Sequence, residues 1–466
     1  MARSTLDAQG FARVRYTECG NDDVVAFSCK KRGFCPSCNG RRMADTAAHW
    51  IDRVLPVAPI RQWVFTVPFR VRLALAYDSK LGSAVRRAFV DVVLGWLRRR
   101  ARQHGIRDGR SGGVVVTQRF GGAVNLNVHF HALVIDGVYA RHTPDRLPSF
   151  HSVPPPTRDD LGDLLETLRV RVLDLLDGRA GVDCDDADAN DDASLLAACY
   201  GASVQGVIAF GPQRGRRVAR VGRAGATPTF PDRGERCAES EGFSLHADVR
   251  VPSRSRQRLE TLCRYVLRPP IAQDRLSLTE DGRVAYAFKR AWSDGTRAVL
   301  LEPLTFLEKL AALVPPPRVN LVGYHGVLAP NASMRRDIVP AGAATRSGTR
   351  TRGGPRGAGP CGIGATDDDE RPAAIESDVP DAGRRYSWAE LLRRTFKVDV
   401  LRCPACGGRR RVIAMITQAD VIRKILGAMG LPTEPPAIDR DRSPPPGYLD
   451  LCVDGAPAPE NPDFTH

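Results

Sequence analysis

The ten residues Leu126-Asn-Val-His-Phe-His-Ala-Leu-Val-Ile135 constrain the fold more than any other stretch of the chain. A run that alternates and is this rich in Val, Leu and Ile reads as a strand. Successive side chains of a strand point to opposite faces, so His129 and His131 share one face. Two imidazoles side by side on a rigid strand can share one divalent cation. A half-buried strand with two simply satisfied histidines gives the same pattern, so the rest of the chain has to decide. Gly113–Phe120 has a strand pattern too, and Gly121-Gly122 signals a two-residue β-hairpin linking it to Ala123–Ile135.

The chain has 466 residues, enough for two or three domains and a substantial core. Its formal charge is +15, from 68 Lys and Arg against 53 Asp and Glu. Nearly all of the basic residues are arginine, whose planar fork binds phosphate bidentately, which favours a polyanionic partner. A genomic bias toward Arg, Ala and Gly would give part of the same pattern, so charge alone does not assign nucleic-acid binding. No signal-like apolar segment follows Met1, and no run approaches the roughly 18 apolar residues of a membrane span. The expectation is a cytoplasmic protein, not a membrane one. Its 12 cysteines then read as metal ligands or buried apolar residues in place of disulfides.

Residues 1–55 hold four cysteines and a basic exit, and read as a small metal-stapled module. Residues 56–330 read as the main globular body. Within it, Arg61–Pro68 reads as a strand and Ser83–Arg102 as an amphipathic helix with Val85, Phe89, Val92, Val93 and Trp96 inward. Residues 143–240 read as an insertion with one helix, Leu161–Leu176. Its Pro154–Pro156 run, acidic patch Asp183–Asp192 and Gly/Arg tract Gly211–Gly234 point to exposed chain. A hairpin-like pair, Val284–Phe288 and Arg297–Leu301, precedes a helix at Leu304–Val314. Residues 331–384, rich in Gly, Arg, Pro and Ala, read as a flexible linker, and 385–466 as a small C-terminal unit.

Cys19, Cys29, Cys35 and Cys38 fall within 20 residues, and Cys35-Pro-Ser-Cys38 is a knuckle that lets two thiolates approach one ion. Four thiolates give the closed tetrahedral shell of a structural zinc site, which folds a segment and does not catalyse. Scattered buried cysteines are the bland alternative. Lys30, Lys31, Arg32, Arg41 and Arg42 crowd the same segment and suit a phosphate backbone. Cys403 and Cys406 make half of a further metal site, for which Cys361, Cys452 or another chain could supply the rest.

A second helix runs from Arg254 to Leu267 and stops at Pro269-Pro270, where the missing N–H and the ring clash end it. Leu259, Leu262, Cys263 and Val266 define its apolar face. Tyr265 lies off that face and lines up with Arg258, Thr261 and Arg268. Such a tyrosine can offer its hydroxyl to a phosphodiester held by the arginines, although most tyrosines so placed simply cover a helix.

Six segments then fall in order along nearly the whole chain: Gly10-Phe-Ala-Arg-Val-Arg15, Phe27-Ser-Cys-Lys30, Gly33-Phe-Cys-Pro-Ser-Cys38, Asn125–Tyr139, Cys263-Arg-Tyr-Val-Leu-Arg-Pro-Pro270 and Tyr324-His-Gly-Val-Leu-Ala-Pro-Asn331. They resemble the rolling-circle transposases of bacterial insertion sequences of the IS91 type and their relatives in common-region elements. The resemblance implies an α+β fold, an antiparallel-sheet nuclease core of the HUH (histidine–hydrophobic–histidine) kind with helices on one face, preceded by a small zinc-binding module. It implies a bacterial, nucleoid-associated enzyme that nicks and rejoins single-stranded DNA at element ends through a 5′-phosphotyrosine. On that resemblance, His129 and His131 would hold Mg²⁺ or Mn²⁺, with Gln118 or His246 as third ligand. Tyr265 would be the nucleophile, Arg268 a basic residue beside it, and Asn127 would orient substrate.

This chain departs from the family in two places. Two-tyrosine members carry a second tyrosine one turn before the first, where Thr261 stands here, so strand transfer would fall to one nucleophile or to a homodimer. Family members usually have a further cysteine near residue 16, where this chain has Tyr16. Two other classes stay open: a non-catalytic zinc-dependent DNA-binding protein derived from a transposase, and a metal-dependent hydrolase. The hydrolase is disfavoured, because the additional Asp or His ligands it would use cannot be assembled from the sequence.

Overall fold

The computed structural model describes residues 10–26, 35–178, 191–222, 234–340 and 386–430, apart from positions 144, 293, 317, 397, 398 and 404. Strands β1 (Phe11–Tyr16) and β2 (Asp22–Ala26) form a hairpin, and helix α1 (Pro36–Arg53) follows with Cys35 at its N-cap and Pro36 in its first turn. Next come β3 (Ile60–Thr66), α2 (Phe69–Tyr77), α3 (Ser79–Gln103), β4 (Gly112–Phe120) and β5 (Leu126–Ile135). Asp78 starts α3 by accepting from the backbone N–H groups of Lys80 and Leu81. The hairpin β6 (Gly137–Ala140) and β7 (Ser149–Ser152) leads to α4 (Arg158–Asp177) and α5 (Asp191–Gln205). Four short strands follow: β8 (Ala219–Gly222), β9 (Cys237–Ser240), β10 (Phe243–His246) and β11 (Arg250–Val251). Then come α6 (Arg256–Val266), β12 (Leu276–Leu278), β13 (Val284–Ala287) and β14 (Thr296–Leu301). The body closes with α7 (Pro303–Leu313), β15 (Val322–Gly326) and α8 (Arg335–Ile338). The C-terminal elements are α9 (Trp388–Phe396), β16 (Arg410–Ile416) and α10 (Ala419–Ala428).

The central sheet is antiparallel, in the order β15-β4-β5-β3-β10-β9, with β11 also on β3. β5 lies inside it, and all of its residues are buried. Val128, Phe130, Ala132 and Val134 point into the larger core with Phe65, Phe89 and Val93, against α3 and α4. The odd-numbered residues point the other way, where Leu133 and Ile135 meet Trp50 and Ile51 of α1 and Leu259, Cys263 and Val266 of α6. Helices therefore cover both faces, not the one face expected, because a strand with apolar residues on both sides needs cover twice. On the odd face the apolar end gives way to Asn127, His129 and His131.

Three other expectations change. The β4–β5 connection is longer than a Gly-Gly turn: Phe120 pairs with Leu126, the Gly121 N–H donates to the Asn125 carbonyl, and Val124 takes a left-handed φ of 57°. Residues 143–240 belong to the body, since Leu161, Leu164, Leu165, Leu168 and Val172 of α4 are buried and β9 and β10 extend the central sheet. Positions 179–190, with most of the acidic patch, and 223–233 lie outside the described residues. The expected linker does not start at 331, because α8 packs Ile338 into the core; positions 341–385 lie outside the described residues.

The C-terminal unit completes the N-terminal one. β16 pairs with β1 from Phe11↔Ile416 to Tyr16↔Arg410, giving a three-stranded sheet β16-β1-β2. Ile422 and Leu426 of α10 bury Phe11, and Leu391 of α9 packs on Ala44 and Ala48 of α1. Arg394 of α9 bonds Asp52 of α1 (3.0 Å) and Glu260 of α6 (2.9 Å).

Candidate active site

His129 and His131 are 1% and 3% exposed, with their Nε2 atoms 3.1 Å apart. His129 Nδ1 lies 2.9 Å from the Asn127 carbonyl oxygen. A carbonyl only accepts, so Nδ1 carries the proton and Nε2 presents a lone pair. His131 Nδ1 is 2.8 Å from the side-chain amide of Gln62 on β3. Burial pushes His129 down to about 3, reinforced by the charges of Arg268 and Arg72 against the Asn127 bond. Burial, then His129 and Arg268, hold His131 well below the usual histidine range. Both rings are neutral at neutral pH, the form that binds metal.

Register places Gln118 of β4 and Thr66 of β3 directly opposite His129, on the same face. The Gln118 amide nitrogen donates to the Val266 carbonyl of α6 at 2.6 Å, while its oxygen has no partner. Thr66 Oγ1 and both amide atoms of Asn127 are likewise buried without partners. Each such atom costs about 1–3 kcal/mol unless something satisfies it, so four around one imidazole mark the space for a ligand. Imidazole nitrogens with an amide oxygen and waters are a donor set that a divalent cation such as Mn²⁺ or Mg²⁺ accepts. His246 lies on β10, separated from His131 by Val64 of β3, and its Nε2 is 3.4 Å from Cys237 Sγ. Cys237, Glu239 and His246 bring their ligand atoms within 4.8 Å of one another, and His246 lines the same cleft as the histidine pair.

Helix α6 buries Leu259, Cys263 and Val266 and turns Tyr265 outward, 38% exposed. The Tyr265 ring stands 6.1 Å from the His131 ring at 87°. Arg268 lies over the Tyr265 ring at 4.3 Å and the Phe120 ring at 5.4 Å. Burial pushes the neighbouring Cys263 thiol up to about 12, so sulfur is not the nucleophile here. A cleft of about 450 Å³ joins Asn127, His129, His131, Tyr265 and Arg268. Its rim carries Arg275, Lys289 and Arg290, which the sequence reading passed over along with Gln62 and Thr66. The Lys289-Arg290 pair just beyond β13 was a readable signal for the rim; nothing local distinguished Gln62 or Thr66. A larger groove of about 800 Å³, lined by Lys80, Arg86, Arg87 and Arg171, holds neither a histidine nor a tyrosine.

A family model described as "Putative transposase" matches residues 112–336, which include Gln118, His129, His131, Tyr265 and Arg268. A second, the IS91 "Transposase zinc-binding domain", matches residues 1–67. The chain belongs to the IS91-type transposases. No curated protein and no solved structure gives a match.

Of the four N-terminal cysteines of the transposase, Cys19, Cys35 and Cys38 fall among the described residues. Cys19 lies in the β1–β2 turn, with its sulfur beside those of Cys403 and Cys406. Cys19 meets the C-terminal pair because β16 pairs with β1 and brings the two turns to one end of the sheet; Cys361 and Cys452 lie outside the described residues. Cys35 and Cys38 sit at the start of α1, and among the described residues they join no group of three ligands. Cys29, Lys30, Lys31 and Arg32 lie outside the described residues. Arg41 and Arg42 are exposed on α1, and Arg258 is exposed on α6 but does not line the cleft.

Proposed function

We propose that this transposase nicks and rejoins single-stranded DNA at element ends, the chemistry of rolling-circle transposition, with Tyr265 as nucleophile. The observation that carries the proposal is the meeting of Tyr265 with two buried, neutral imidazoles in one basic-rimmed cleft. Tyr265 Oη attacks phosphorus; the Oη–P bond forms as the P–O3′ bond breaks, leaving a 5′-phosphotyrosine and a 3′-hydroxyl. The phenol proton leaves to solvent and the 3′ oxygen takes one up. The phosphodiester energy stays in the covalent link, so rejoining by a 3′-hydroxyl needs no nucleotide.

His129 Nε2, His131 Nε2 and the unpartnered Gln118 oxygen would hold Mg²⁺ or Mn²⁺. A bound divalent cation would polarise the scissile phosphate and offset the charge that builds on it. Without a cation, the Gln62 amide nitrogen donates to His131 Nδ1, and His131 Nε2–H donates to His129 Nε2. Ligation through His131 Nε2 would need the Gln62 amide to turn its oxygen to Nδ1 and take up that proton. Arg268, Arg275, Lys289 and Arg290 hold the phosphates of the strand. With Thr261 one turn before Tyr265, each subunit brings one nucleophile, so a second subunit supplies any second tyrosine. Among the described residues no helix is long and apolar enough to cross a membrane. A DNA-bound, nucleoid-associated enzyme in the bacterial cytoplasm is the setting we infer.

The test is incubation of the full chain with single-stranded element-end DNA and Mg²⁺, followed by denaturing electrophoresis. A covalent protein–DNA adduct that Tyr265→Phe abolishes is the expected result. Salt-sensitive binding without an adduct would make the chain a non-catalytic DNA-binding protein derived from a transposase. A free 5′-phosphate product without an adduct would make it a hydrolase.

A further inference from the structure

We infer that Cys19, Cys403 and Cys406 together hold one zinc ion that clips the C-terminal unit onto the N-terminal sheet. Cys403 and Cys406 lie outside the matched zinc-binding domain, and the assignment is independent of the strand-transfer reading.

The three sulfurs lie within 4.8 Å of one another, and Cys19 Sγ is 3.9 Å from Cys403 Sγ. Thiolates bound to a tetrahedral zinc at its usual bond length stand about 3.8 Å apart, whereas a disulfide would draw two sulfurs to about 2.0 Å. The backbone has the form of a zinc knuckle. The Gly408 N–H points at Cys406 Sγ (3.4 Å), the Cys403 N–H donates to the Gly408 carbonyl (2.8 Å), and Gly407 takes a left-handed φ of 74° that closes the turn. An Arg402↔Arg409 bridge ties the base of the knuckle, and the Thr17 N–H donates to the Arg409 carbonyl (3.0 Å), holding the Cys19 turn against it. Arg402 and Arg409 flank the knuckle in sequence. Binding releases the thiol protons to solvent and involves no change of oxidation state. Among the described residues three thiolates are placed to fill three positions of the tetrahedron.

The clip has a mechanical consequence. β16 and α9 belong to the same C-terminal unit, and Arg394 of α9 bonds Glu260 on α6, the helix that carries Tyr265.

Cys19 and Cys406 are exposed, so burial does not protect them from a maleimide. The wild-type full chain, kept reduced, is labelled with and without a zinc chelator and read by mass spectrometry. Both thiols should stay unlabelled with zinc present and label once the chelator removes it. Deuterium exchange on the same samples should show β1 and β16 losing protection on chelation while β4 and β5 keep theirs. Equal labelling of Cys406 with and without zinc overturns the assignment without recourse to any variant. Zinc content read by mass spectrometry should drop by one equivalent in Cys406→Ser, and full retention also overturns it. Cys35→Ser should leave Cys406 protected; loss of protection there would give the ion to the N-terminal cysteines instead.

Discussion

Asp136 is the most consequential single carboxylate in the sheet that carries the site. It accepts from Arg61 Nε at 2.7 Å, from Arg61 Nη2 at 3.0 Å and from Arg250 Nε at 2.7 Å. The Arg61 side chain is 3% exposed and that of Asp136 8%, while Arg250 is 43% exposed. In Asp136→Ala, Arg61 keeps its bond to the Ala247 carbonyl but becomes a buried cation without a counter-charge. Removing one partner of a buried pair destabilises by about 3–5 kcal/mol, because the other charge is left desolvated. The half-exposed Arg250 is screened, so Arg250→Ala should cost no more than about 1 kcal/mol. Removing both charges relieves the penalty, so Arg61→Met with Asp136→Leu should cost well under the sum of the single changes. Urea unfolding of the full chain, followed by the fluorescence of tryptophans that include Trp63 at the centre of β3, measures all of these. Mn²⁺ binding should weaken in parallel, since the pair locks β3 and β5 in the register that sets Gln62 beside His131. A cost below about 1 kcal/mol for Asp136→Ala, or additive single and double variants, would refute the reasoning from buried charge.

Three further outcomes are expected. In metal-free protein the unfolded histidines titrate near 6.5, while His129 sits at about 3 and His131 well below 6.5 when folded. Between those values the unfolded chain binds protons that the folded chain refuses, so stability is complete above the unfolded value and falls with pH. From pH 7 to pH 5 the loss from His129 is about 2 kcal/mol and His131 adds to it in the same direction, and replacing both with glutamine should flatten the profile measured in chelator. Gln62→Leu should leave the fold intact but lower Mn²⁺ affinity roughly 10–100-fold by calorimetry; an unchanged Kd would remove Gln62 from the site. Arg268→Ala should weaken single-strand binding and lower the salt slope of log K by about 1, and an unaltered slope would count against a phosphate contact there.

The histidine pair and Tyr265 were legible because each rests on a local period. Two residues along a strand return to the same face, and a tyrosine set off the Leu259–Cys263–Val266 row of a helix must point away from the core. The rest of the site depends on which strands lie side by side, and no local period reports that. Gln62 and Thr66 are ordinary polar residues of β3 until register sets Thr66 against His129. His246 reaches the same cleft as the histidine pair from β10, across β3, and Cys237 stands beside it. Cys19 was grouped with its nearest cysteines in sequence, whereas its spatial partner Cys403 lies 384 residues away, brought in by the β1–β16 pairing. The insertion was misjudged for the same kind of reason, because short strands such as β9 gain their place only from the sheet they join.

Those non-local pairings converge on one helix. α6 is held from the sheet by Gln118, whose amide donates to the Val266 carbonyl. It is held from the N-terminal side by Arg256, which donates to the Leu55 and Pro56 carbonyls past the end of α1 (3.0 and 2.9 Å). From the C-terminal side it is held by the Arg394–Glu260 pair. Tyr265 projects from a helix whose three supports come from the sheet that carries the histidines, the zinc-binding domain and the far end of the chain. On the proposed chemistry Tyr265 needs such supports, since attack on phosphorus tolerates little displacement of the reacting oxygen. On the proposed chemistry the two ends of the chain therefore influence strand cleavage without lying in the cleft, by fixing where α6 sits over the histidines.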